Sequence, residues 1–522
     1  MKPNSRTIRP TVFALALAFI LHRCRLLRRV ILSGCLAALG SAFLLAQGPL
    51  APPGAPAPTM KTLDQVEPRT PISAVGVIIS SAGSYYLTAN PSSQFVVNGE
   101  SGITVAASGV TIDLNGFELV GFANSGSGIT INNGVTNVTI RNGTIRNWTF
   151  KGIDGTGIPE VRVENVRVIN NGGSGIIVDF NGEVRDCVAQ GNVGYGIEAT
   201  ANCLIENCQV TLTTGFPGTG IITGDSCHIG RCAARGNANL GISAGSNNVG
   251  ISNCTAQSNL QGGISAGKNA SISNCTAQGN IGFGIRVTDN CTITDSAALS
   301  TTGAGSPGIA TGDTGVVSGC TSRLNAGDNI RVGGSSTVVK CSASGSTGGN
   351  GINASSGYSL ISQCTANGNN QHGINAFQRT RISDCTAAGN TQSGVHITIV
   401  GTVERCFCNG NTVCGILMDA GGFVDILNNN CSENGAATSG AGIRVSVAGG
   451  CRVEGNNLIQ NFRGLDILVP RNVIGKNVAN INSNADYNIV AGNSVGPIIN
   501  VINVGDISGT AGANHPFANF RY

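Results

Sequence analysis

The sequence predicts an all-β fold, a single-stranded right-handed parallel β-helix, and three observations carry that prediction. The heptapeptide ISNCTAQ occurs at Ile251 and again at Ile272, so the chain repeats itself. A Gly, Ser or Asn followed by an aliphatic residue recurs at seventeen positions from Ile103 to Leu465. The mean period is about 22 residues, and such a period outranks length as a guide to architecture. Within a unit the apolar residues alternate with period 2, which is a strand pattern. No unit holds an amphipathic stretch long enough for a helical repeat, and the leucine pattern of leucine-rich repeats is absent.

Gly196–Thr211 (GIEATANCLIENCQVT) illustrates one coil. Ile197 and Ala199 point inward from a first strand, Cys203 and Ile205 from a second, and Cys208 and Val210 from a third. Turns fall at Thr200–Asn202 and at Glu206-Asn207. Three short strands per coil, stacked about 4.8 Å apart, give about 17 coils of ~22 residues. Composition agrees. Hydrophobic residues make up 41% of the 522, against 11% charged and 4% aromatic, and the 76 glycines show no collagen period.

The ends differ from the repeat. Residues 1–47 hold two apolar runs around the basic HRCRLLRR, which reads as an export segment with cleavage near Ala46. An uncleaved anchor is the alternative. Residues 48–59 are a Pro-rich linker. Residues 60–100 are expected to cap the first coil, 101–471 to form the β-helix, and 472–522 to cap the last. A net charge of +4 is too mild to imply nucleic acid. No membrane domain is expected beyond the export segment, and oligomeric state is left open.

Stacking explains why the same residues recur. Three residues before the cysteine position, Ile or Val stands in every unit from Val163 to Val403. Cys187, Cys208, Cys232, Cys254, Cys275, Cys320, Cys341, Cys364, Cys385 and Cys406 form one inward column, with Ser296 in its gap, and Cys203, Cys227 and Cys291 a second. Buried cysteine packs as a small hydrophobe. Stacked parallel side chains do not present disulfide geometry, and no clustered histidines complete a zinc site. Asn or Asp just before the column (Asn165, Asp186, Asn207, Asn253, Asn274, Asp295, Asp384) suits a left-handed turn residue whose amide bonds along the stack. The recurring Gly-Asn, as at Gly191-Asn192, marks the turn back to strand one.

The segments SYYLTAN (Ser84–Asn90), VTIDLNGFELVG (Val110–Gly121), VTIRNGTIRNW (Val138–Trp148), the NCTAxxN coils and HPFANF (His515–Phe520) carry a resemblance. The chain resembles bacterial right-handed parallel β-helix repeat proteins of the pectate-lyase-like superfamily. That resemblance implies the fold, but the fold hosts lyases, hydrolases, epimerases, adhesins and phage spikes. The N-T-D, D-D, G-H-G and R-I-K motifs of polygalacturonase-like members are absent. Gln371-His372-Gly373 and Arg381-Ile382-Ser383 are fragments of them. No dense acidic cluster matches the calcium site of pectate lyases. No cofactor is therefore expected, with calcium kept open as the alternative.

In that superfamily substrates lie along the first-strand face. The outward position after the repeat aliphatic carries Glu198, Arg286, Arg331, Asn353, Asn375, His396 and Arg444. Tyr195, Phe283 and His372 stand two before the repeat aliphatic, and Asp225, Asp289, Asp313 and Asp419 in the turn after the strand. The candidate glycan contacts are Tyr195, Phe283, Arg286, Asp289, Asp313, Arg331 and His396. Asp289 and Asp313, on adjacent coils, qualify for the carboxyl pair of a glycosidase on spacing alone, and solvated turn residues are the preferred reading. Residues 203–225 and 291–313 repeat one another and lengthen the turn into strand one. Their loops, 212–220 and 299–308, should stand on one edge and frame a groove. The reading is an exported β-helix that binds extracellular or cell-surface polysaccharide without a recognisable catalytic set. One alternative is a polysaccharide lyase or hydrolase around Arg286, Asp289, Asp313 and Arg331. Another is a protein-binding adhesin or structural surface module.

Overall fold

The computed structural model describes residues 68–92, 98–436, 439–502 and 505–522. The expected export segment (1–47) and linker (48–59) lie outside the described residues. The described chain is all β, with short strands wound into one parallel solenoid. Each strand pairs with its counterparts one coil before and one coil after, so three ladders run side by side. In the first, Ile197–Ala199 lies between Ile176–Val178 and Ile221–Ile222. In the second, Leu204–Glu206 lies between Glu183–Arg185 and His228–Gly230. In the third, Gln209–Thr211 lies between Val188–Gln190 and Ala233–Arg235. Period-2 alternation puts Ile197, Ile205 and Val210 fully inside, and the same positions on the next coil stack upon them.

The solenoid has about 20 turns rather than about 17. Turns before Ile103 and after Leu465 escape the repeat count. Thr70–Ala74 and Gly83–Ser92 already pair as rungs of the second ladder, and Val77–Ile79 pairs with Ile103–Val105 in the first. At the other end Ala485–Ile489 adds a rung on which Tyr487 stands opposite Leu465. Within the segments expected as caps, the described residues 68–92 and 472–495 thus contribute rungs of the solenoid. The chain then folds back. Asn519–Arg521 pairs with both Val478–Asn480 and Ile498–Asn500, and the Tyr487 hydroxyl donates to the carbonyls of Asn477 and Phe520 (both 2.8 Å).

Stacked side chains bind the rungs together inside. The Cys208 amide donates to the Cys232 sulfur, Cys232 to Cys254, and Cys254 to Cys275 (each 3.4 Å). Cys275 donates to Ser296 Oγ at 3.1 Å. Each thiol in turn lies against backbone carbonyls, as Cys232 Sγ against Gly230 O (3.1 Å). Cysteine therefore does more than pack, since it accepts an N–H that would otherwise be buried unpaired. The Cys254 thiol is pushed up to about 12, first by its bond with Cys232 and then by burial, so it stays protonated and unreactive. Beyond Cys406 the column passes to Asn429, Asn456, Asn477 and Asn519. The turn residues Asn165, Asp186, Asn207, Asn253, Asn274, Asp295 and Asp384 are all left-handed, with φ of 47–56°.

A second ladder uses the Asn of the Gly-Asn pairs. Those side chains turn inward and are buried, as at Asn369, Asn390 and Asn411. Asn390 Nδ2 donates to Asn411 Oδ1 (2.9 Å) and to Ala366 O (3.0 Å). Its own Oδ1 accepts the backbone and side-chain N–H groups of Asn369 (3.0 and 2.9 Å). This ladder also explains the glycine of the Gly-aliphatic signature. A Cβ on Gly373 would sit 2.6 Å from both Asn390 Nδ2 and Gly394 O.

Asn390→Ala strands the two Asn369 donors in the core and should cost about 2–4 kcal/mol. Cys254→Ser should cost under about 1 kcal/mol, because Ser296 already fills that role two column positions away. Urea unfolding of the two variants checks the ranking, and equal losses would contradict it.

Candidate functional site

Since alternate residues point inward, the residue after each repeat aliphatic faces out. In register along the first ladder these are Arg286, Ala310, Arg331, Asn353, Asn375, His396, Leu417, Arg444 and Asp466. Side chains on adjacent rungs are close enough to bond, and Asn353 with Asn375, Asn375 with His396, and Arg444 with Asp466 do.

Asp328 anchors this network. Its side chain is 5% exposed. Oδ1 accepts the backbone N–H (2.8 Å) and Nδ2 (3.0 Å) of Asn350, while Oδ2 accepts Arg331 Nε and Asn353 Nδ2 (both 2.8 Å). Burial works against the charged carboxyl, but Asn353, the Asn350 amide and Arg331 together hold it below the usual carboxylate range. Asn375 Nδ2 donates to Asn353 Oδ1 (3.0 Å), and Asn375 Oδ1 faces His396 Nδ1 (2.7 Å). His396 Nε2 lies 2.7 Å from Asp419 Oδ1.

The direction of this chain follows from chemistry. A carboxylate only accepts, so Asp328 fixes which end of Asn353 faces it, and each amide then orients the next. His396 Nδ1 must therefore carry a hydrogen. His372 stacks on His396, with centroids 4.5 Å apart and planes at 18°. Its Nδ1 accepts the Ser393 N–H (3.3 Å). Burial first, and then the charge of His396, push it down to about 4 against the pull of Asp419. A cleft of about 210 Å³ opens beside this row, lined by Gly305, Asp328, Arg331, Asn350, Asn353 and Gln371. Gly305 belongs to the 299–308 loop, so that loop forms a wall.

A second cluster lies on earlier rungs of the same face. Lys151 Nζ donates to Asp154 Oδ1 (2.9 Å). Asp179 accepts the N–H groups of Gly157 (2.7 Å) and Phe180 (2.8 Å) and the Thr200 hydroxyl. Burial opposes the charge on Asp154 and Asp179, but Thr156 and Lys151 hold the first carboxyl low, and Thr200, Phe180 and Gly157 the second. Burial raises Glu198, Lys151 and Ser174 pull it back, and Asp154 and Asp179 add to the rise. Tyr195 is raised by burial and by Glu198.

The seven sequence candidates do not form one site. Tyr195 belongs to the Glu198 cluster, and Arg331 and His396 to the Asp328 network. Arg286 lies two rungs from Arg331, with Ala310 between them. Its guanidinium covers the Phe283 ring at 4.0 Å, and Phe283 is only 8% exposed. Asp289 Oδ1 accepts the Asp313 backbone N–H (3.1 Å) and Asp313 Oδ1 that of Gly334 (2.6 Å). Lys268 stands 3.4 Å from Asp289. The two carboxyls thus brace successive turns. Asp328 escaped the sequence reading, although it stands two before Ile330, in phase with Tyr195, Phe283 and His372. Among the described residues no cluster of metal-binding side chains occurs.

The model for the right handed beta helix region matches residues 75–228 and 328–495, more than half of the chain. The chain belongs to this family. Among solved structures, this β-helix family member is similar to the Dettilon tailspike protein at 15% identity and a TM-score of 0.32, over 56% of this chain and 61% of that one. It thus spans under two thirds of the tailspike chain. It is similar to the A-module of mannuronan C-5 epimerase AlgE4 from Azotobacter vinelandii at 13% identity and a TM-score of 0.27, covering 72% and 91%. It is also similar to pectate lyase Pel9A at 14% identity and a TM-score of 0.19, covering 78% and 79%. No curated protein sequence matches the chain.

His372 makes the β-helix sensitive to acid. Its folded value, about 4, lies below the ordinary 6.5. Between those values the unfolded chain binds the extra proton, so stability falls as pH drops through that window and recovers above it. Thermal melts from pH 7 to pH 4 should show this loss, and His372→Asn should flatten it. An unchanged slope in the variant would remove His372 as its source.

Proposed function

We propose that this chain is an exported β-helix protein that binds an extracellular or cell-surface polysaccharide along the outer face of its first ladder. The observation that carries the reading is the row Arg331, Asn353, Asn375 and His396. It offers one hydrogen-bonding side chain per rung over four consecutive rungs beside the Asp328 cleft. A surface that repeats every 4.8 Å or so suits a ligand that repeats as well. Side chains already oriented by one another lose little freedom on binding, which favours affinity.

A second reading, a glycoside-cleaving enzyme, is favoured by the Glu198 cluster. One carboxyl there is raised while Asp154 and Asp179 are lowered, and carboxyls pushed apart in this way can divide acid and base roles. We therefore centre this alternative on Glu198 instead of Arg286, Asp289, Asp313 and Arg331, because Asp289 and Asp313 accept the N–H groups of neighbouring turns.

Affinity electrophoresis through gels containing different polysaccharides, with and without Ca²⁺ and stained for protein and glycan, tests both. A band retarded over intact glycan is expected, and Arg331→Ala/Asn375→Ala should weaken it at least about tenfold. A cleared track lost in Glu198→Gln, with retardation kept, would establish the enzyme. Normal migration in every gel would leave the protein-binding or structural module.

A further inference from the structure

The duplicated loops frame another stretch of this face, and its chemistry differs from that of the Asp328 row. Loop 212–220 leads into the rung of Ile221, and loop 299–308 into that of Ile309. Both are latched alike. Thr213 Oγ1 donates to Gly218 O (2.7 Å), and Thr301 Oγ1 to Ser306 O (3.1 Å). Both threonines are buried, standing where most other turns place a ladder Asn, and their backbone N–H groups join that ladder through Asn237 and Asn325. The loops are therefore fixed walls.

Between them the floor carries little charge. Its outward positions are Ile222, Ser243 and Ser265, in register on consecutive rungs, and then Arg286. The Arg286 guanidinium lies over Phe283. Residues 236–285 contain one charged side chain, Lys268, and it is paired with Asp289. Phe216, on the loop that leads into the first of these rungs, is 95% exposed.

Resting on the glycan reading above, we infer that this trough is a subsite for an uncharged glycan strand, with Phe216 stacked on a sugar face. An aromatic face with adjacent hydroxyls and amides matches a pyranose, which is apolar on its flat faces and hydroxylated at its rim. The in-register serines repeat at the rung spacing, as a polymer does. The Ile222, Ser243 and Ser265 rungs carry no cation, so an anionic chain would lose hydration along them and meet only Arg286, whose guanidinium lies over Phe283, at their far end. A protein partner would call for a contiguous apolar patch, whereas here the apolar side chains are interleaved with Ser, Asn and Gln.

The test is affinity electrophoresis of the full chain in gels of hydroxyethyl cellulose or galactomannan (neutral) and of polygalacturonate or alginate (anionic). Wild type should be retarded by a neutral glycan. Phe216→Ala should weaken that retardation at least about tenfold, and Phe216→Trp should retain it. Thermal melts should be unchanged in both variants, because the side chain touches little of the fold. Retardation by anionic glycans alone would overturn the subsite and leave the glycan reading standing. Neutral retardation unaffected by Phe216→Ala would also overturn it. No retardation in any gel would overturn both.

Discussion

The whole molecule depends on hydrogen bonds that run along the solenoid axis inside the wall. Backbone pairing alone fixes the spacing of rungs and leaves their register free to slip. The buried amides, thiols and hydroxyls remove that freedom, because each must meet a polar partner one coil later. Asn390 serves both neighbours at once, receiving from Asn369 and donating to Asn411. A slip by one residue would leave several buried polar groups unpaired on every rung, so register is enforced everywhere.

A fixed interior register determines the exterior as well. Outward side chains on consecutive coils fall into line without being selected to do so, and Arg331, Asn353, Asn375 and His396 inherit their alignment from the isoleucines and valines behind them. Function can then change one side chain at a time on a surface whose backbone does not move. Loops are added with similar freedom. Thr213 and Thr301 replace a ladder Asn and lock a longer turn, while the coils on either side keep their geometry.

Much of this was legible in the sequence, because stacking forces equivalent residues to recur. The aliphatic column, the cysteine column and the left-handed turn residues all follow from period and phase. The Asn ladder was not legible, since Gly-Asn is equally good turn chemistry and spacing does not say which way the amide points. The outer turns were missed where the signature lapses, as where Tyr487 replaces an aliphatic residue. Among the site residues, the adjacency of Asp289 and Asp313 could be read from coil number. That each carboxyl is taken up by the next turn's N–H could not. The Asp328–His396 network is formed by side chains from several coils, and a linear pattern does not record such convergence.

The thiol column has a further consequence for how the chain reaches its folded state. All seventeen cysteines among the described residues are buried as free thiols. On the proposed export route the unfolded chain meets an oxidising compartment with those thiols exposed, and wrong disulfides compete with winding. Each coil that closes withdraws its own sulfur from solvent and needs only its neighbour in place to do so. Protection therefore advances along the chain one coil at a time, and the race is decided locally rather than by the folding of the whole.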